Sequence, residues 1–265
     1  MRSAQRVIYV SEPDAELWAL AVVSADGTVS DAQKRLVAIL LRSLKFAGVW
    51  SSLDRLWLFA AENATQALID IKALATATAT NSPTFTAGRG YKGSHLSAYL
   101  NSNFNPTAGT PNYQRNSASY GLWVETAESD PAGAYRLMGN DSSNYSEISV
   151  GVAFLSIHLN QGSPTSVSTM ASTATGLVTG SRIAASGAGS TTFYLNGGAQ
   201  GTGAIASIAL PNNNFNILAG NNAGAVYQQS DARVAAVVIG GALTAAQHLA
   251  LYAALRAYMT SVGVA

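Results

Sequence analysis

Five acidic side chains are scattered through one stretch of the sequence and are the candidates for acid–base chemistry, although exposed positions in loops would also suit them. The stretch contains Glu125, Glu128, Asp130, Asp141 and Glu147. Retaining glycoside hydrolysis needs two carboxyl groups about 5 Å apart, which a Glu-x-Asp-x-Glu pattern on one strand provides. These five acids follow neither that pattern nor Glu-x-Asp-x-x-Glu. We therefore assign no catalytic residue and predict that the chain is not an enzyme.

Histidine and cysteine give no sign of a metal site in the sequence. His95, His158 and His248 are far apart, and none begins a motif such as His-Glu-x-x-His. The chain has no cysteine, which excludes disulfides and a thiolate zinc site. Asp141 and Asn144 could help to hold calcium, but this spacing is more typical of a polar loop. We predict no metal and no cofactor.

The low charge of the chain excludes two classes of partner. Lys and Arg number 15 and Asp and Glu number 14, which gives a net charge of +1 and a charged fraction of 11%. Binding to nucleic acid or to an anionic membrane requires a basic surface. We therefore expect neither nucleic acid nor membrane as a partner.

Aromatic residues near amide-rich loops indicate a possible carbohydrate site. Sugar binding combines a flat aromatic face with amide or carboxylate groups that hydrogen-bond to hydroxyls. Tyr91 follows Gly88-Arg89-Gly90, and a polar segment surrounds Tyr145. The candidate carbohydrate-binding residues are Tyr91, Asn140, Asp141, Asn144 and Tyr145. Packing of these tyrosines in the core is the competing interpretation.

Periodicity and turn residues predict a mainly β protein. About ten short strands, separated by Gly, Asn, Pro and Ser clusters, fill residues 83–239 and indicate an antiparallel β-sandwich. A helix over residues 30–47 begins at Ser30, and a C-terminal helix begins at Thr244. Residues 7–10 and 17–23 are predicted to be extended. We divide the chain into an N-terminal arm for attachment or assembly, residues 1–29, and one sandwich domain, residues 30–265.

Several segments resemble a known fold family. The stretch TFYLNG at residues 192–197, the segment FNILAG at residues 215–220 and the closing ARVAAVVIGGALTAAQHLALYAAL at residues 232–255 resemble the last half of a concanavalin A-like, laminin-G-like jelly roll. More narrowly, GVWSSLDRLWLFAAENATQALIDIK, NSPTFTAGRGYKG and SAYLNSNFNP resemble segments of tailed-bacteriophage and prophage particle proteins with this fold. The resemblance covers residues from about 30 to the C-terminus.

The resemblance implies a role in the virion. We expect a structural subunit of a phage-particle appendage, such as a fibre, a spike or a capsid or tail decoration, with contact to a host-surface glycan. Its expected partners are other virion structural proteins and further copies of itself. Two alternatives stay open at this point: a glycan-degrading enzyme of the same fold, and a purely architectural subunit without a ligand.

Overall fold

The computed structural model describes residues 11–109, 112–130, 132–140, 144–151, 154–162, 171 and 173–264. Helices lie at both ends of this part of the chain, and strands occupy most of the middle. The described helices are α1 (Pro13–Ser24), α2 (Asp31–Phe46), α3 (Ala64–Leu68) and α4 (Ala245–Val262), with a short 3₁₀ turn at Trp50–Ser52.

The strands of the described residues are short, and the longest has nine residues. They are β1 (Leu53–Leu58), β2 (Thr78–Thr80), β3 (Thr84–Thr86), β4 (Gly90–Lys92), β5 (Tyr99–Asn101), β6 (Ala118–Thr126), β7 (Tyr135–Asn140), β8 (Tyr145–Gly151), β9 (Phe154–Gln161), β10 (Gly176–Arg182), β11 (Thr191–Leu195), β12 (Gly198–Gly203), β13 (Asn216–Ile217), β14 (Gly220–Asn222), β15 (Ala225–Tyr227) and β16 (Arg233–Gly240).

Two antiparallel sheets face each other. Among the described residues, one sheet has eight strands in the order β12-β11-β10-β6-β16-β4-β3, with β1 also paired to β16. The other has six strands in the order β2-β5-β13-β7-β8-β9, and β14 and β15 form a separate hairpin. The predicted fold class, an antiparallel β-sandwich with helices at its two ends, is confirmed.

Apolar side chains form two cores, one on each face of the eight-stranded sheet. Between the sheets, Val237 and Ile239 of β16 pack with residues such as Ile148 and Leu155 of the six-stranded sheet. On the other face, Ala236 and Val238 pack beneath the helices. The alternation of a strand sends successive side chains to opposite faces, so β16 is apolar along most of its length because both faces are buried.

The two predicted helix starts are confirmed. The Ser30 side chain accepts a hydrogen bond from the Gln33 N–H at 3.0 Å, and Thr244 forms a complete capping box with Gln247. At Ser30 the capping box is not complete, because the Gln33 side-chain amide donates to the Tyr258 hydroxyl at 2.6 Å instead of bonding back to Ser30. This buried bond ties α2 to α4.

The predicted extended segment at residues 17–23 is wrong, because it lies within α1. Pro13 occupies the first turn, where its missing N–H costs nothing, and Asp14 and Glu16 favour the positive helix end. Trp18 and Val22 are buried in the core beneath the helices. The attachment role of residues 1–29 stays a prediction, and residues 1–10 lie outside the described residues. In the described part of the chain, no helix is both long and apolar enough to cross a membrane.

His248 fixes α4 on the eight-stranded sheet and generates a prediction about pH. Its Nδ1 lies 2.9 Å from the Thr179 hydroxyl and its Nε2 lies 2.8 Å from the Ser181 hydroxyl. Its ring stacks on Tyr194 with a centroid distance of 3.8 Å. Burial lowers the pKa of His248 to about 3. The folded state therefore holds this imidazole neutral.

We expect His248 to make the protein less stable in acid. Because the folded pKa lies below the unfolded value of about 6.5, its contribution to the free energy of unfolding is complete above that value. The contribution falls with pH down to about 3, by about 3–5 kcal/mol in total. Denaturant unfolding at several pH values, compared between the wild type and His248→Asn, measures it. If the free energy of unfolding changed equally with pH in the two proteins, the prediction would be contradicted.

Candidate functional site

An asparagine-rich pocket lies on the outer face of the six-stranded sheet. Leu100 and Ile217 point into the sandwich core, so the neighbouring Tyr99, Asn101 and Asn216 lie on the opposite face. The pocket has a volume of about 320 Å³. It is lined by Tyr99, Asn101, Asn105, Asn212, Asn213, Asn214, Asn216, Asn221, Gly224 and Val226.

Strand pairing brings these asparagines together from distant parts of the sequence. In the six-stranded sheet, Asn216 of β13 is paired with Asn101 of β5 on one side and with Gly139 of β7 on the other. The β14–β15 hairpin supplies Asn221, and Gly224 at its tip has a φ of +96°, a conformation that favours glycine. The pocket therefore depends on the register of three strands and on one tight turn.

Hydrogen bonds hold the pocket walls while leaving other amides free. Asn221 donates to the Asn214 carbonyl at 2.8 Å and accepts from the Gly224 N–H at 2.8 Å. Asn105 donates to the Asn212 side-chain oxygen at 3.2 Å. The side chains of Asn213 and Asn214 form no hydrogen bond with any described residue, so their donors and acceptors are open to a ligand.

The predicted site residues lie beside this pocket rather than in it. Asn140 is fully buried at the end of β7, and its amide donates to the Asn213 carbonyl. Asn144 donates to the Leu210 carbonyl at 3.4 Å. Tyr145 is partly buried, with its ring centroid 6.2 Å from that of His158. Asp141 lies outside the described residues. Asn140 thus supports the pocket wall, and neither Asn144 nor Tyr145 lines it.

Tyr91 is in the core, and its predicted place in a loop is wrong. It belongs to β4 and is 3% exposed. Its ring packs against Phe59 and Phe85 at centroid distances of 5.7 and 5.2 Å. The preceding Gly90 allows this position, because a Cβ there would lie 2.1 Å from the Val234 carbonyl oxygen. Tyr91 therefore offers no face to a ligand.

Glu147 belongs to a buried ion-pair network on the same outer face. Its Oε2 accepts from Arg136 at 2.5 Å and from the Tyr227 hydroxyl at 2.8 Å, and its Oε1 lies 3.4 Å from His158 Nδ1. Burial opposes ionisation of Glu147, but His158 and Arg136 outweigh it and lower the pKa of the carboxyl group. The side chain is therefore a charged partner of Arg136 rather than a proton donor.

Ion pairs or hydrogen bonds also engage Glu125, Glu128 and Asp130. Glu125 contacts both Arg89 and Arg233, while Glu128 and Asp130 contact His95 and Tyr135, respectively.

A Glu-x-Asp-x-Glu pattern does occur at residues 12–16, outside the acidic stretch of residues 125–147. These acids lie at the start of α1, where Lys45 pairs with Glu12 and Asp14, and Lys34 pairs with Glu16. The helix removes the strand geometry that the pattern needs for catalysis.

Comparison with known proteins supports the fold. No family model matches the chain, and no curated protein matches it significantly. A mutant of Trypanosoma rangeli sialidase with trans-sialidase activity superimposes with a TM-score of 0.57 and 14% identity, over 86% of this chain and 40% of that chain. T. rangeli sialidase in complex with sialic acid gives a TM-score of 0.56 and 14% identity, over 85% of this chain and 40% of that chain.

A different kind of protein shares the fold. A mutant of HCR/D, a clostridial toxin domain, gives a TM-score of 0.53 and 12% identity, over 78% of this chain and 53% of that chain. The chain thus spans 40% to 53% of the length of these structures. At such identities the likeness shows the fold alone. It is a jelly-roll-like β-sandwich that loosely fits the concanavalin A-like type.

The prediction that the chain is not an enzyme is contradicted by these matches, because sialidases are enzymes. The prediction depended on a missing carboxylate pair.

The position of Tyr91 generates a prediction about stability. We expect Tyr91→Ala to lower the free energy of unfolding by about 3–5 kcal/mol, because the substitution leaves a cavity between the sheets. Tyr91→Phe is the matched control and should cost less than about 1.5 kcal/mol, since the ring remains. Urea unfolding measures both. An alanine variant as stable as the wild type would place the ring outside the core.

Proposed function

We propose that the chain binds neutral carbohydrate in the asparagine-lined pocket. The observation that carries this proposal is the chemistry of the lining. Seven of its ten residues are asparagines, one is a tyrosine, and none is charged. Each side-chain amide offers both donors and an acceptor, which suits sugar hydroxyls that also donate and accept.

The half-buried ring of Tyr99 supplies the apolar element of the pocket. It lies beside Asn101 on β5, where it can contact the C–H face of a sugar ring. The pocket volume of about 320 Å³ is at the lower end of the range for small-molecule sites. These dimensions favour one or two sugar residues of a longer glycan.

The absence of a cation from the lining favours neutral sugars over acidic ones. Carboxylates are recognised most strongly by Arg or Lys through charge-assisted hydrogen bonds. The described residues that line the pocket include neither. The solved structures include a sialidase in complex with sialic acid, an acidic sugar, so we propose a different ligand preference for this chain.

The sequence resemblance supports a phage-particle setting for this activity. We propose that the chain is a structural subunit of a particle appendage that contacts a host-surface glycan and assembles with other virion proteins and with its own copies. Exposed apolar residues on the helical layer support assembly. Leu17, Leu20 and Val23 of α1 are 51%, 63% and 59% exposed, and Phe46 at the end of α2 is 98% exposed. Immunogold labelling of intact particles tests this setting, and unlabelled particles would contradict it.

Variants of the two free amides test the pocket directly. We expect Asn213→Ala and Asn214→Ala each to weaken binding of neutral oligosaccharide about 2- to 10-fold, because each removes hydrogen bonds worth about 0.5–1.5 kcal/mol. A glycan array should identify the ligand, and isothermal titration calorimetry should measure the affinity. Neither variant should change the melting temperature much, since these side chains have no bond within the described chain to lose.

Asn222→Ala is the matched control, because this exposed asparagine of β14 is adjacent to Asn221 but does not line the pocket. The Asn222→Ala variant should bind the neutral oligosaccharide as tightly as the wild type does. The proposal fails if no neutral glycan binds saturably, or if the two pocket variants bind as well as the control. Preferential binding of sialylated glycans would contradict the proposed neutral ligand.

A further inference from the structure

We propose that His95, Glu128 and Asp231 form a binding site for a divalent transition-metal cation, best suited to Zn²⁺. Their ligand atoms all lie within 4.8 Å of one another. His95 Nε2 is 2.5 Å from Glu128 Oε1 and 3.5 Å from Asp231 Oδ1. Around Zn²⁺ with ligand distances of about 2.0–2.2 Å in a tetrahedron, neighbouring ligand atoms are about 3.3–3.6 Å apart. The present spacing requires only a small adjustment.

Surrounding hydrogen bonds hold both carboxylates in place. Glu128 Oε2 accepts from the Ser230 hydroxyl at 2.6 Å and from the Asp231 N–H at 3.1 Å. Asp231 accepts from the Ser129 N–H at 2.9 Å on Oδ1 and from the Ser129 hydroxyl at 2.8 Å on Oδ2. Partners of this kind orient metal ligands and raise metal affinity.

The two oxygens that approach His95 can accept a cation once it displaces the contact between His95 and Glu128. A carboxylate oxygen has two lone pairs. Glu128 Oε1 takes one N–H, from Asp130 at 3.3 Å, and Asp231 Oδ1 takes one N–H, from Ser129. In the described structure, the second acceptor position of Glu128 Oε1 is used by His95. A metal would replace this contact and use the imidazole nitrogen as well.

Tyr135 orients the imidazole ring. The two rings stack with a centroid distance of 4.4 Å and an interplanar angle of 13°, and the Tyr135 hydroxyl donates to Asp130 at 2.8 Å. The His95 side chain remains 33% exposed, whereas that of Glu128 is fully buried. A cation can therefore enter from solvent on the side of His95 and meet a buried carboxylate.

The ligand set determines the class of cation. Imidazole nitrogen with carboxylate oxygens suits Zn²⁺, and three protein ligands leave a fourth position for water. Lys92 Nζ lies 3.5 Å from Asp231 Oδ2, the oxygen further from the site. Its positive charge opposes a cation, so it should weaken metal binding without blocking it. Sequence spacing does not predict the site, because its three ligands come from three separate segments of the chain.

This site is distinct from the asparagine-lined pocket. Tyr135 begins β7, whereas Asn140, which supports the pocket wall, ends it. At about 3.3 Å per residue these positions are about 16 Å apart. The two sites can therefore be tested independently.

Zinc titration of the full chain tests the proposal. After treatment with a chelator, the wild type should bind one Zn²⁺ saturably in calorimetry, and Zn²⁺ should raise its melting temperature. His95→Ala and Asp231→Asn should each weaken binding about 100-fold or more, and Ser129→Ala should weaken it about 10-fold. His95 is exposed, so its variant should fold normally, and circular dichroism checks this.

Two further variants separate a metal site from a simple ion pair. Lys92→Ala should bind Zn²⁺ more tightly than the wild type, because it removes an opposing charge, whereas a purely structural ion pair predicts no effect on Zn²⁺. Asp31→Asn removes an exposed carboxylate on α2 and should leave binding unchanged. The proposal is overturned if the wild type shows no saturable binding, or if the folded His95→Ala and Asp231→Asn variants bind Zn²⁺ as tightly as the wild type does.

Discussion

β16 lies between two apolar cores, and its side chains have to satisfy both of them. Val237 and Ile239 face the sandwich interior, and Ala236 and Val238 face the helices. Backbone hydrogen bonds to β16 set the register of the three strands that pair with it, β1, β4 and β6. A charged side chain on either face would be buried without water. The middle of this sheet can therefore hold the fold together but cannot easily present a ligand site.

The six-stranded sheet is different because none of the described helices forms a layer on it. Its inner face carries apolar residues such as Ile148 and Val150, and its outer face carries Asn101, Asn216 and Glu147. Polar groups on that face can be satisfied by water, by each other or by a ligand. The β14–β15 hairpin lies against it, bringing Asn221 to the pocket and Tyr227 to Glu147. This hairpin converts an open sheet face into a concave surface.

Local signals in the sequence predicted the parts of the fold that local chemistry determines. Ser30 and Thr244 begin helices because their hydroxyls cap N–H groups three residues away. Within α1, residues 17–23 give a strand-like pattern because they lack a polar face. Trp18 and Val22 pack inward while Leu17 and Leu20 remain exposed, so no amphipathic period appears. Pro13 followed by two acids was the available helix-start signal.

The candidate site could be predicted in its chemistry but not in its residues. Aromatic and amide groups were expected together, and they do meet, but around Tyr99 and the asparagines rather than around Tyr91. Which asparagines meet depends on the pairing of Asn216 with Asn101, residues separated by 115 positions. No local pattern encodes such a pairing. His95, Glu128 and Asp231 meet for the same reason, because the sandwich brings distant loops to one end. Both proposed sites therefore depend on long-range pairing of distant segments, which only the folded structure reveals.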